Sequence, residues 1–439
     1  MRNVTMFVLV VVVALLGLSL FYFLGTPAPK VSLSPDAGPV APRRDLALNL
    51  DAQGGILKKL SVSAIQAEKT VNILAKVYPP GSRQAAETFN LAMAGLKEGE
   101  FTLHVEATSS APRFGANRTT TQGHLFTLEN KPPVVEVLSV SHNITQGGAG
   151  LVVYTVSKEV EKTGVVFGDQ FFPGYRQGGK FYACLFPFPY DTDPGKYVPK
   201  VIAVDRAGNE RLMGINYHLT AKSFSTDRID LTDSFLEKIA AEFKDKFPQT
   251  TTPLEIFLKA NRDQRQLDRK LIRDYGLKTS PVPLWQGTFL RMPNTAPLGG
   301  FAQFRTYIYQ GKEVDRQTHL GFDLASVAHA AVPAANRGKV VFAGDFGIYG
   351  QCIIIDHGLA LQTLYGHLSR LGVKPGDNVE KGQIIGNTGA TGMAGGDHLH
   401  FEVDISGQAV NPIEWWDSHW IKNNITGKLE MVKTTGSNE

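Results

Sequence analysis

The sequence predicts a mainly β, multidomain fold: an N-terminal membrane helix, two β-sandwich modules, a short helical linker and a C-terminal antiparallel β domain. Three observations predict it. An apolar run near the start is long enough to reach nearly across a bilayer. Short alternating segments, broken by turn residues, fill the chain up to about residue 225. After a stretch of helical period the chain returns to short strands punctuated by glycine.

The apolar run is Met6–Leu24, with Arg2 ahead of it. At about 1.5 Å per residue it reaches nearly across a hydrocarbon core of about 30 Å. A cleaved signal peptide has a shorter apolar stretch, about 7–15 residues, and a small-residue cleavage site after it. Gly25-Thr-Pro-Ala-Pro-Lys30 is a poor site of that kind, so residues 1–25 read as an uncleaved anchor in preference to a signal. Either reading sends the body across the membrane. It is then held at the inner or plasma membrane, in the periplasm or outside the cell, or is secreted if residues 1–28 are cleaved.

Residues 26–44 are rich in Pro, Ala and Ser and read as a linker. Residues 45–132 carry alternating strands such as Phe101–Ala107 and read as one β-sandwich. Residues 133–225 read as a second, immunoglobulin-like sandwich, in which the Gly195–Ala203 phrase echoes Gly99–Ala107. Residues 226–284 change period. Thr232 can cap a helix that runs to Phe243, and Pro253–Asp274 reads as a second, heavily charged helix. This is a helical linker packed on a neighbour; a gate over an active site is the alternative. Residues 285–425 hold strands such as Lys339–Ala343, Cys352–Asp356 and Gln383–Gly386, and 426–439 read as a tail.

Composition narrows the function. The net charge of +4 comes with no block of Lys or Arg, so nucleic-acid binding has little electrostatic support. Only two cysteines are present, Cys184 and Cys352, both in strand-like apolar runs that suit buried free thiols.

The chemistry concentrates in histidine. Six of the eleven histidines fall between 319 and 400. His319-Leu-Gly-Phe-Asp323 opens the set, Tyr365-Gly-His367 lies between, and His398-Leu-His400 closes it. In a strand, two histidines two apart project from one face. Catalytic zinc takes three protein ligands and leaves a fourth position for water, and two histidines with one carboxylate suffice. A histidine, with an ordinary pKa of about 6.5, can exchange protons near neutrality. The same donor set serves non-haem iron oxygenases, but those place His and Asp two apart on one strand. Glu402 shares parity with His400 and reads equally as its orienting partner or as a surface carboxylate. Tyr365 shares parity with His367, which would aim it at the same site. His329 and His357 read as structural, and Trp415-Trp416 as packing.

The motifs His-x-x-x-Asp, Tyr-x-His and His-x-His, with the connecting phrases Gly338–Gly344, Ile354–Gly358, Leu364–Ser369 and His398–Val403, resemble the lysostaphin-like, LytM-type zinc endopeptidases of bacterial cell walls. The resemblance covers roughly 285–417. It implies that His319, Asp323 and His400 bind Zn2+, that His367 and His398 are catalytic, and that the partner is peptidoglycan. Some relatives have lost ligands and act only as regulators, whereas this chain keeps all five positions. Two phrases depart from the family pattern: Gly395-Gly-Asp397 before the last histidine pair, and Ala328-His-Ala-Ala-Val332. The expected function is a zinc-dependent endopeptidase cutting stem peptides or crosslinks. The alternative is a non-catalytic or self-inhibited wall-binding protein that regulates another hydrolase, with an upstream asparagine such as Asn261 or Asn294 filling the fourth zinc position.

Overall fold

The structure is a computed structural model and describes residues 11–14, 27–110, 117–140, 142–193 and 195–436. Of the run expected to anchor the chain only residues 11–14 are described, as helix; the rest of the anchor lies outside the described residues. Among the described residues no helix is long and apolar enough to cross a membrane.

The chain divides into two compact units. The first holds the described residues up to 133 together with 159–161 and 204–211. A five-stranded sheet runs in the order Gly38–Val40, Asn117–Leu128, Gly99–Ser110, Ile56–Gln66, Lys69–Val77. A three-stranded sheet runs Lys30–Ser34, Leu46–Asp51, Gln84–Phe89. Alternate residues of both sheets, Leu46, Leu48, Val62, Leu103 and Val105 among them, meet in one core. Residues 26–44 are therefore not a free linker. Lys30–Ser34 pairs antiparallel with Leu46–Asp51, Gly38–Val40 pairs parallel with Phe126–Leu128, and Val31, Leu33 and Val40 are buried. The apolar residues at every second position outweigh the proline content.

The second unit holds 134–158, 162–203 and 212 onwards. Its centre is an antiparallel sheet in which Ala296–Gly299, Phe322–Ala325, Leu399–Ile405, Leu361–Leu368, Gln351–Gly358, Gly338–Asp345 and Asn378–Val379 lie side by side. Its apolar core includes Leu324, Ile353, Ile355, Leu399, Phe401 and Val403, and is continuous with Ala149, Leu151, Val153, Phe181 and Leu185. The strand Ala149–Val156 is buried along its whole length. The second β module and the C-terminal β domain thus share one core instead of forming separate bodies. Cys184 and Cys352 are free and buried.

Residues 226–284 are more than a helical linker. Thr226–Asp230 is a strand, parallel to Gln303–Tyr309, which pairs in turn with Lys312–His319. The first helix, Asp233–Phe243, is capped by the Thr232 side chain. The next, Pro253–Lys259, starts in a capping box of Thr252 and Glu255 and continues through a π turn, Ala260–Gln264, into Arg265–Gly276. The expected tail is also structured. Gly427–Gly436 is helical, Val432 is buried in the shared core, and Lys428 Nζ donates to the Leu151 carbonyl at 3.2 Å. Trp415 is fully buried against Trp285 and Phe289, as packing residues would be.

Candidate metal centre

His319 ends the strand Lys312–His319, and Asp323 lies in the next, Phe322–Ala325. Asp323 pairs directly with His400 across the sheet, and His400 pairs with Gly366 on its other side. Three neighbouring strands thereby bring together residues far apart in sequence. Gly321 makes the turn between the first two possible. A Cβ there would lie 2.5 Å from the His400 ring.

The donor atoms converge. His319 Nε2 lies 3.0 Å from Asp323 Oδ1 and 3.0 Å from His400 Nδ1, and His400 Nδ1 lies 2.9 Å from Asp323 Oδ1. The opposite nitrogens fix the tautomers. His319 Nδ1 faces the Gly300 carbonyl at 2.8 Å, and His400 Nε2 faces Glu402 Oε1 at 2.8 Å. Carbonyl and carboxylate oxygens only accept, so these nitrogens carry the protons. In the neutral rings His319 Nε2 and His400 Nδ1 present lone pairs to the same point as Asp323 Oδ1, and without a metal ion there a proton takes its place between them. Such a buried cluster calls for a cation, and its nitrogen–oxygen set is the one Zn2+ takes.

His367 and His398 stand beside it. Their ring centroids are 4.9 Å apart, and His367 is 5.7 Å from His400. His367 Nδ1 donates to the Thr391 carbonyl at 2.8 Å and His398 Nδ1 to the Gly396 carbonyl at 2.9 Å. Both Nε2 atoms therefore carry lone pairs, and that of His398 is 3.5 Å from Asp323 Oδ1. All five side chains are buried and line a cleft of about 480 Å³.

Charge follows this geometry. Burial pushes the Asp323 carboxyl up, but His319, His398 and His400 outweigh it and hold the group well below its usual range. Arg305 adds an ion pair to Asp323 Oδ2 at 2.9 Å, leaving Oδ1 to the cluster. Burial lowers His400, yet its bonds to Asp323 and Glu402 carry it up to about 9. His319 is lowered by burial. His367 is held well below its ordinary value by burial and by the nearby His398 and His400.

Glu402 is fully buried and is the partner of His400, not a surface carboxylate. Tyr365 faces the core instead of the cleft: its hydroxyl accepts from the Ala335 N–H at 2.8 Å. The parity that placed it beside His367 fails because His367 adopts a left-handed backbone (φ 62°), which ends the alternation of the strand. His357 is structural, bonded to the Arg337 carbonyl and to Thr363. The amide of Asn261 is committed to Asp315 and Arg265. The two departing phrases meet: the His329 N–H donates to Asp397 Oδ2 at 3.0 Å. Arg305 and Arg269 went unnoticed in the sequence, since neither lies in a motif.

An antiparallel sheet thus carries a convergent His–Asp–His group of the kind that could hold a metal ion, with two further histidines beside it. Residues 317–412 match the profile described as Peptidase family M23 and form a domain of that family. Similar curated proteins include the DD-carboxypeptidase/endopeptidase Mpg of Neisseria meningitidis, 42% identical over 95 residues, which is 22% of each chain. The peptidoglycan DD-endopeptidase ShyA of Vibrio cholerae is 38% identical over 96 residues, again 22% of each chain. The catalytic domain of the antimicrobial peptidase lysostaphin from Staphylococcus simulans is 30% identical, covering 28% of this chain and 92% of that one, with a TM-score of 0.25. The chain thus spans about a fifth of the length of the curated relatives it matches.

Proposed function

We propose that this chain is a zinc-dependent endopeptidase that hydrolyses peptide bonds in bacterial peptidoglycan. The observation that carries the reading is the meeting of three lone-pair donors with two further histidines whose tautomers are fixed. The relative named as a peptidoglycan DD-endopeptidase supports the substrate class.

His319, Asp323 and His400 would hold the ion. When bound, Zn2+ supplies a Lewis acid that acidifies water and polarises a carbonyl. The chain's own residues do the rest. Arg305 holds Asp323 Oδ2 so that Oδ1 alone faces the cluster. Glu402 keeps Nδ1 of His400 turned inward. His367, whose Nδ1 is held by the Thr391 carbonyl, offers Nε2 as a proton acceptor at the cleft wall. His398 Nε2, once protonated, faces a carboxylate and can donate to oxygen charge that develops in the cleft.

The site of action would be outside the cytoplasm, where peptidoglycan lies, with the run Met6–Leu24 as the anchor or signal. The test is mass spectrometry of fragments released from purified wall by the full chain. New amino and carboxyl ends at one peptide bond, lost with chelator and restored by Zn2+, are expected. Release of only glycan-cleavage products would overturn the proposal.

A further inference from the structure

The Leu399–Ile405 strand puts His400, Glu402 and Asp404 on one face at every second position. Glu402 and Asp404 are both buried carboxylates. One guanidinium forks between them. Arg269 Nη1 donates to Glu402 Oε2 at 2.6 Å, and Nη2 donates to Asp404 Oδ1 at 3.0 Å and to the Gly407 carbonyl at 3.1 Å. The Tyr349 hydroxyl donates to Glu402 Oε1 at 2.8 Å, beside the bond from His400. Arg269 sits on the helix Arg265–Gly276, upstream of the family match at 317–412. We propose that Arg269 is a positioning residue for the metal centre, fixing through Glu402 the imidazole of His400 in the tautomer that turns Nδ1 towards His319 and Asp323. This rests on the zinc reading above.

The physical argument is one of charge and shape. Two carboxylates on one buried face need a cation, and a planar fork satisfies both at once where a single ammonium cannot. Glu402 then has no freedom to rotate, and neither has the ring that donates to it. The helix is anchored independently of this contact. Asp268 accepts from the Ile348 N–H at 2.8 Å, Gln362 Nε2 donates to the Tyr275 carbonyl at 2.7 Å, and Ile272 is buried with Phe346, Cys352 and Leu364. The element predicted as a linker thus supplies part of the support of the site, and zinc affinity depends on a residue outside the homologous domain.

The experiment measures Zn2+ affinity of the full chain by competition with a chromophoric chelator. Arg269→Gln should weaken it about 10–100-fold, the usual effect of losing a group that orients a ligand. Arg269→Lys, which keeps the charge without the fork, should fall between the two. Ile272→Ala controls for loosening of the helix: it should lower the melting temperature while Zn2+ affinity stays at the wild-type level. In the metal-free protein above about pH 9, where His400 is neutral, histidine 15N spectra should show it as one tautomer in wild type and as a mixture in Arg269→Gln. Wild-type affinity in Arg269→Gln, or an equal loss in Ile272→Ala, would overturn this inference alone. A wild-type chain that binds no Zn2+ would overturn the functional reading, and this inference with it.

Discussion

His400 and His367 are ring neighbours at 5.7 Å, yet their losses should differ in kind. His400 contributes one of three converging lone pairs, so His400→Ala should abolish stoichiometric Zn2+ binding by the full chain. His367 turns its lone pair to the cleft instead. His367→Ala should therefore keep the metal and lower turnover by about 10²–10⁴-fold, the usual worth of a proton-transferring group. Parallel metal analysis and wall-digestion rates separate the two, and equal zinc loss in both variants would remove the division of roles. This part of the site was legible in the sequence because a strand has a period of two, and His398-Leu-His400 announces it. The same rule misplaced Tyr365. The left-handed backbone at His367 lies in three-dimensional strain at the site, which no spacing records.

The element that decides most is the Arg265–Gly276 helix, because it packs on the strand that carries His400. Its end approaches the turn after that strand so closely that a side chain has no room. A Cβ on Gly276 would lie 2.6 Å from the Gly407 backbone nitrogen and 2.8 Å from the Ser406 carbonyl carbon. Backbone atoms cannot give way as a flexible side chain can. Gly276→Ala should cost about 1–3 kcal/mol as overpacking, lowering the melting temperature although alanine is the better helix former. A melting temperature equal to or above wild type would show that the helix and turn separate freely. The helix itself was readable from its amphipathic, heavily charged period after Pro253. Its destination was not: Arg269 and Glu402 are 133 positions apart, and nothing local in either segment names the other. The strand Thr226–Asp230 escaped for a related reason, since a charged five-residue segment becomes a strand only by pairing with Gln303–Tyr309.

At the scale of the molecule, the alternating strands identified a mainly β chain, but not which strands would share a core. Ala149, Leu151 and Val153 pack with Trp285, Leu399 and Trp415, and that partnership depends on surfaces that meet only after folding. Its most exposed weakness to pH is Glu414. This residue lies in the first turn of the helix Pro412–Trp416, is buried, and accepts from the Ala149 N–H at 2.9 Å, tying the β module to the C-terminal β domain. Burial raises its carboxyl from the ordinary 4.5 to about 8, against the smaller opposing pulls of the Ala149 N–H, Lys222 and Thr145. The unfolded chain releases this proton near 4.5, whereas the folded chain keeps it to about 8. Between those values the folded state binds more protons, so its contribution to stability is whole below 4.5 and is lost as pH rises through 8. Glu414→Gln keeps an acceptor for the Ala149 N–H and has no proton to lose. Melting curves of the two proteins should therefore lie together near pH 4.5 and diverge upward in pH, with the variant several degrees more stable above pH 8. Curves that stay parallel across this range would mean that Glu414 ionises inside the folded protein at no cost, and that the shared core is wet at this point.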